Sequence, residues 1–185
     1  TRPDGSWNYS EYSISPSSPV AITTEYSGWK NLTMAQRIDA RKTVTTTSAN
    51  ETLVETSVAG QLVSKSRTTI GVDSGDPVTT AEKWDGSAWH TTKTAYHPDS
   101  ATESEAGRIK WIENSDGTAT TYAYETVNNE LVTTARTGAG SRSGITAGVE
   151  TKTTYGLANF PIAQITKDIA SGLTIERWDT DLSYN

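Results

Sequence analysis

Residues 107–125 read Gly-Arg-Ile-Lys-Trp-Ile-Glu-Asn-Ser-Asp-Gly-Thr-Ala-Thr-Thr-Tyr-Ala-Tyr-Glu, an order of residues that suits one β-hairpin. Ile109 and Trp111 share one face of an outgoing strand and Ile112 takes the other, the two-residue period of a strand with one face more firmly buried. Asp116-Gly117 reverses the chain, because a tight hairpin turn calls for positive φ, which Gly adopts freely and Asp tolerates. On the return strand Thr118, Thr120, Tyr122 and Tyr124 fall on one face and Thr121 and Ala123 on the other. β-Branched and aromatic residues of this kind fit a pleated, half-buried surface.

The step from Gly117 to Tyr124 recurs along the chain. Gly5 to Tyr12 spans the same seven positions, with Arg2-Pro3-Asp4 ahead of the glycine, and Gly148 to Tyr155 spans them a third time. Gly172 to Trp178 closes a further hairpin one residue short. Between them, Asn128-Asn129 stands at a turn, Leu131 to Arg136 reads as an outgoing strand, and the small residues of Thr137 to Thr146 read as an insertion before the return. The expected anchors of the pattern are Asp4, Gly5, Tyr12, Gly107, Arg108, Asp116, Gly117, Tyr122, Tyr124, Gly148, Tyr155, Gly172 and Trp178. The large flat side chains among them are expected to bridge neighbouring strands where one hairpin stacks on the next.

This pattern resembles the YD repeat of the Rhs and teneurin-like proteins, whose unit runs from Gly-Arg-Leu through a Pro-Asp-Gly-Thr turn to Tyr-x-Tyr-Asp. Ile109 stands for the Leu, Ser115 for the Pro and Glu125 for the final Asp. Residues 96–185 and 2–12 carry the resemblance, and the stretch between them follows it only in style. Two regions are therefore expected: an irregular hairpin and meander region at 1–95 that begins within a repeat, and YD-like hairpin repeats at 96–185. The resemblance implies an all-β fold in which extended antiparallel β-hairpin repeats form a coiled or spiral sheet, a segment of a shell such as those that enclose toxins. It also implies a secreted or cell-surface protein of a bacterium. That family carries an autoproteolytic Asp-Pro-x-Gly pair, whereas Asp76-Pro77 is followed here by Val78-Thr79, so self-cleavage is not expected.

In the first region Ser15 to Pro19 reads as a loop and Val20 to Tyr26 as a short strand. Met34 to Arg41 has good helix formers behind Thr33, and eight residues there suit a turn of helix or a strand equally. Thr43 to Thr47, Thr52 to Thr56 and Leu62 to Ile70 read as a three-strand meander. A loop over Gly71 to Pro77 then leads into Val78 to Trp84. Asp85 to Ala88 is the next reversal, which would set Trp84 opposite Trp89.

Composition narrows the function. Of the 185 residues 34% are hydrophobic, with one Phe and one Met, too few for a thick aliphatic core. Wide sheets held by main-chain ladders and cross-strand Thr, Tyr and Trp pairs remain open to such a chain. A net charge of −6 without a basic cluster disfavours nucleic acid as a partner. No run approaches the roughly 20 apolar residues of a membrane span. The absence of Cys removes disulfides, thiolate nucleophiles and Cys-based zinc sites.

Catalytic chemistry finds little footing. His90 and His97 are too few for a metal centre. Asp73 and Asp76 sit in a Gly-bearing stretch without the spaced oxygen ligands of a calcium loop. Carboxylate pairs such as Glu103 with Glu105, or Asp179 with Asp181, lie in polar surroundings that would not raise a pKa. No catalytic residue, cofactor or metal site is expected. The functional expectation is a non-enzymatic structural segment of a YD-repeat β-shell that encloses or displays another polypeptide, its partners being neighbouring repeats of the same or a second chain and an enclosed toxin polypeptide. The alternative is a glycan-binding surface module that stacks sugars on exposed Trp and Tyr, with Trp84 and Trp89 the first pair to consider. The terminal strands are expected to pair with further polypeptide, because open sheet edges leave main-chain groups unpaired.

Overall fold

The computed structural model describes residues 7–14, 19–29, 41–156 and 159–180. Asp4, Gly5 and the segment from Met34 to Ala40 lie outside the described residues, as does Asp181. The architecture is all-β. Among the described residues thirteen strands form one antiparallel sheet that is not closed, and they follow one another across it in chain order. They are β1 (Trp7–Ile14), β2 (Ala21–Trp29), β3 (Arg41–Thr47), β4 (Glu51–Val58), β5 (Gln61–Asp73), β6 (Asp76–Trp84), β7 (Trp89–Tyr96), β8 (Ile109–Asn114), β9 (Thr118–Val127), β10 (Glu130–Ser141), β11 (Gly144–Tyr155), β12 (Pro161–Asp168) and β13 (Thr174–Asp179). No α-helix occurs among the described residues, and none is long and apolar enough to cross a membrane.

Turn chemistry sets this order. Ala59-Gly60, Ser74-Gly75 and Asn128-Asn129 each have positive φ at both residues, the backbone of the two-residue turns whose twist matches that of paired strands. Ser74-Gly75 replaces the loop expected over Gly71 to Pro77, since β5 runs on to Asp73 and β6 starts at Asp76. The turn between β8 and β9 departs from expectation as well. Gly117 has φ 83° while Asp116 keeps negative φ. Ser115, Asp116 and Gly117 form the loop, with the Gly117 amide donating to Asn114 O at 3.2 Å, and Asp116 works through its side chain. Its Oδ1 accepts from the Thr118 amide at 2.9 Å and from the Thr118 hydroxyl at 2.6 Å.

The chain divides into two compact units, residues 1–71 with 79–91, and residues 72–78 with 92–185. In the first unit the sheet is stitched by small polar side chains. Thr43 and Thr56 share a hydroxyl hydrogen bond of 3.2 Å across β3 and β4, and Thr56 is buried. The Tyr9 and Tyr26 rings, on directly paired residues of β1 and β2, lie 6.3 Å apart. Cross-strand pairs of these kinds contribute roughly 0.2–1 kcal/mol each. Tyr12 is exposed on β1 opposite Thr23.

The second unit holds the thin apolar centre. Val78, Ala95 and Trp111 are buried together, and Ala119 and Val132 are buried on neighbouring strands. The register joins Ala95, Trp111, Ala119 and Val132 into one face, because Ala95 pairs Trp111, Trp111 pairs Thr121, and Val132 pairs Glu125. Where Ala95 and Tyr96 pair Trp111 and Ile109, Lys110 is the extra residue of a β-bulge. A bulge re-aims a side chain: the Lys110 ammonium meets both carboxylate oxygens of the buried Asp76, at 2.9 and 3.0 Å.

The segment from Thr137 to Thr146 is strand and not an insertion apart from the sheet. β10 and β11 continue in register through Gly138 opposite Gly148, with one irregularity at Ala139/Gly140. A Cβ on Gly138 would overlap the Ala147 carbonyl oxygen, and one on Gly148 would overlap the Thr137 carbonyl oxygen. The small residues are thus the means by which the two backbones approach closely.

Candidate functional site

Four of the expected anchors share the face of the second unit opposite Trp111. Tyr124 pairs Thr133, which pairs Thr153, then Gln164, then Trp178. Directly paired residues share a face, so Tyr124 and Trp178 stand in one row across five strands. Tyr122 lies one step along the same face, and so does Tyr155, which pairs Leu131. The Tyr122 and Tyr124 rings are nearly parallel, 8° between planes, with centroids 6.4 Å apart.

Tyr124 is the most constrained of them. Its hydroxyl donates to the Ile109 carbonyl at 2.8 Å, the Arg108 guanidinium sits 5.3 Å from its centroid, and the His97 ring meets it edge-on at 5.9 Å. Burial pushes the Tyr124 phenol up from its ordinary pKa, against the smaller opposing influence of Arg108. His97 Nε2 is buried without a hydrogen-bond partner. Gly107 reaches back with its amide to the His97 carbonyl at 3.1 Å and takes φ 70°, which places Arg108 beside the tyrosine. This arrangement bridges strands and offers no nucleophile paired with a base.

Gly172, with φ 70°, closes the turn before β13 by donating to Asp168 O at 2.9 Å. There Asp168 plays the part of Asp116: its Oδ1 accepts from the Ser171 hydroxyl at 2.6 Å and amide at 2.7 Å, and these bonds hold its carboxyl below the usual range. Asp85 does the same between β6 and β7. The Ala88 amide, His90 Nε2 at 2.7 Å and Ser87 hold its carboxyl well below the usual range.

Trp84 ends β6 half-buried, and Trp89 opens β7 with 36% of its surface exposed. Lys65 and Arg67 lie 5.9 and 5.6 Å from the Trp89 centroid, and Arg67 also pairs Glu82 at 2.5 Å. Cations of the chain itself thus already meet the ring on which a sugar would stack.

A constellation absent from the sequence reading centres on Trp111. The Arg142 guanidinium, at the tip of the β10–β11 hairpin, lies 4.7 Å from the Trp111 centroid. It donates to Asp73 Oδ2 at 2.6 Å, and the Arg142 amide donates to Glu113 Oε1 at 2.7 Å. Asp73 is held below its usual pKa, first by the hydrogen bond from Arg142 and then by one from Ser74. Asp73 and Asp76 are thereby each engaged by a cation, and no group of three metal-binding side chains occurs among the described residues. Arg142 stands among Ser, Gly and Ala residues remote in sequence from Asp73, and no local spacing marked the pair.

No protein-family model matches the chain, and no match is found among curated proteins or among solved structures.

Proposed function

We propose that this chain is a non-enzymatic structural segment, a β-hairpin wall of the YD-repeat kind that encloses or displays another polypeptide at or beyond the cell surface. The observation that carries this reading is the strand order. Each strand neighbours in the sheet the strands next to it in sequence, so the fold grows by adding hairpins at an edge, as stacked-repeat walls do. Tyr124 supports it, since its hydroxyl and ring join β9 to Ile109, Arg108 and His97 of the preceding hairpin connection. Neighbouring repeats, of this chain or a second one, are the partners such edges accept.

The rival reading, a glycan-binding surface, rests on Trp89 being partly exposed. Titration with a panel of surface polysaccharides, followed by tryptophan fluorescence, separates the two. The structural reading predicts no saturable change. Saturable binding that is lost in Trp89→Ala, with the fold intact, would replace it with the glycan reading.

A further inference from the structure

We propose that Trp111, Asp73 and Glu113 form a docking site for an arginine side chain, filled in the free chain by Arg142 and open to an arginine on another polypeptide when the hairpin tip lifts away. This goes beyond the structural reading and does not depend on it. The floor of the site is the Trp111 ring, whose face attracts a cation, and its rim is the Asp73 carboxylate, with Glu113 beside it.

The charges around the site favour a cationic guest. Asp73, Asp76 and Glu113 face Lys93, Lys110 and Arg142. Lys110 is committed to Asp76. With Arg142 withdrawn, three carboxylates face two ammonium groups, and among the described residues Asp73 keeps only the Ser74 hydroxyl as a hydrogen-bond partner. A planar guanidinium suits this place better than an ammonium, because it lies flat on the indole while its edge donates to the carboxylate.

The present occupant is removable. Among the described contacts the tip holds the body of the unit through Arg142 and through one further bond, from the Gly140 amide to Gly117 O at 3.0 Å. The ladder of β10 on β9 ends at Ala139, so the tip beyond it has no strand partner other than β11. Arg142 is itself about one-third exposed, so a competing arginine can approach the rim.

The test uses Arg142→Ala and the peptide acetyl-Ser-Arg-Ser-Gly-amide, the sequence of residues 141–144, with binding read from the indole N–H resonances. The account predicts saturable binding that shifts one indole and, read by isothermal titration calorimetry, vanishes in Arg142→Ala/Trp111→Phe. Asp73→Asn in the same background, or Lys for Arg in the peptide, should weaken it at least about tenfold. The parent chain should need at least about tenfold more peptide, because a tethered competitor acts at millimolar effective concentration. An Arg142→Ala chain that stays folded and binds no peptide, or binding indifferent to Asp73→Asn, overturns the proposal. If Arg142→Ala does not fold, Arg142→Lys takes its place, with the same order of affinities expected and the same results overturning it.

Discussion

The Tyr124 hydroxyl donates a 2.8 Å hydrogen bond to the Ile109 carbonyl, tying the return strand of the 107–125 hairpin to the first residue of its outgoing strand. Removing the hydroxyl in Tyr124→Phe should cost about 1 kcal/mol, the usual net worth of such a bond. Tyr124→Ala also gives up the ring under Arg108 and beside Tyr122 and should cost about 2 kcal/mol, less than a fully buried aromatic because the side chain is half-buried. Urea denaturation measures both, and an unchanged midpoint in Tyr124→Ala would refute the architectural role of the aromatic row.

Trp111 and Trp89 should answer truncation differently. Trp111 is 4% exposed at the centre of the apolar cluster, so Trp111→Ala should cost about 3–5 kcal/mol. Trp89 keeps a third of its surface in water, and its loss should stay below about 1 kcal/mol. Equal losses in the two variants would contradict the placement of the core on the Trp111 face.

Acid should loosen the turns. Asp85, Asp116, Asp168 and Asp73 all have carboxyl pKa values lowered by hydrogen bonds made in the fold. A carboxyl whose folded pKa lies below its unfolded value of about 3.9 contributes stability that is fully present above that value. The contribution is lost as pH falls through the folded pKa. Melting temperature should therefore hold steady from pH 7 to about 5 and fall below about 4. In Asp85→Asn, which keeps an acceptor but removes the charge, the fall should be shallower; a slope identical to the parent's would show that this turn does not contribute.

The pairing of β10 with β11 depends on close backbone approach at Gly138 and Gly148. Gly148→Ala forces a Cβ onto the Thr137 carbonyl oxygen and at φ 141° has no relaxed alternative, so it should destabilise by more than about 1 kcal/mol. Gly144→Ala, where nothing lies within 4 Å, should change stability by less than about 0.5 kcal/mol. Thermal melts of the pair check this, and a harmless Gly148→Ala would mean that the strands can separate there at little cost.

Local chemistry was legible in the residues and long-range pairing was not. The alternation Ile109, Trp111 and the Asp-Gly turn located β8 and β9, and the recurring Gly-to-Tyr step located β11 and β13, because period and turn preference are properties of adjacent residues. The backbone of Asp116 escaped, since Asp serves as readily through its carboxylate as through positive φ. Gly and Ala around Arg142 read as a gap between strands, because their role is to permit close approach, which no side-chain pattern marks. The Arg142–Asp73 contact joins residues 69 positions apart, and only the folded sheet brings them together.

The proposal that the chain is a wall enclosing another polypeptide is tested most directly by protease protection of the protein isolated from its source. The sheet is first left intact and then melted stepwise, while the polypeptide that accompanies the chain is followed by mass spectrometry. The account predicts that this polypeptide resists cleavage while the sheet signal in circular dichroism persists, and becomes sensitive over the same temperature interval in which that signal is lost. An accompanying polypeptide cleaved at once while the sheet remains intact, or the absence of any accompanying polypeptide, would contradict it.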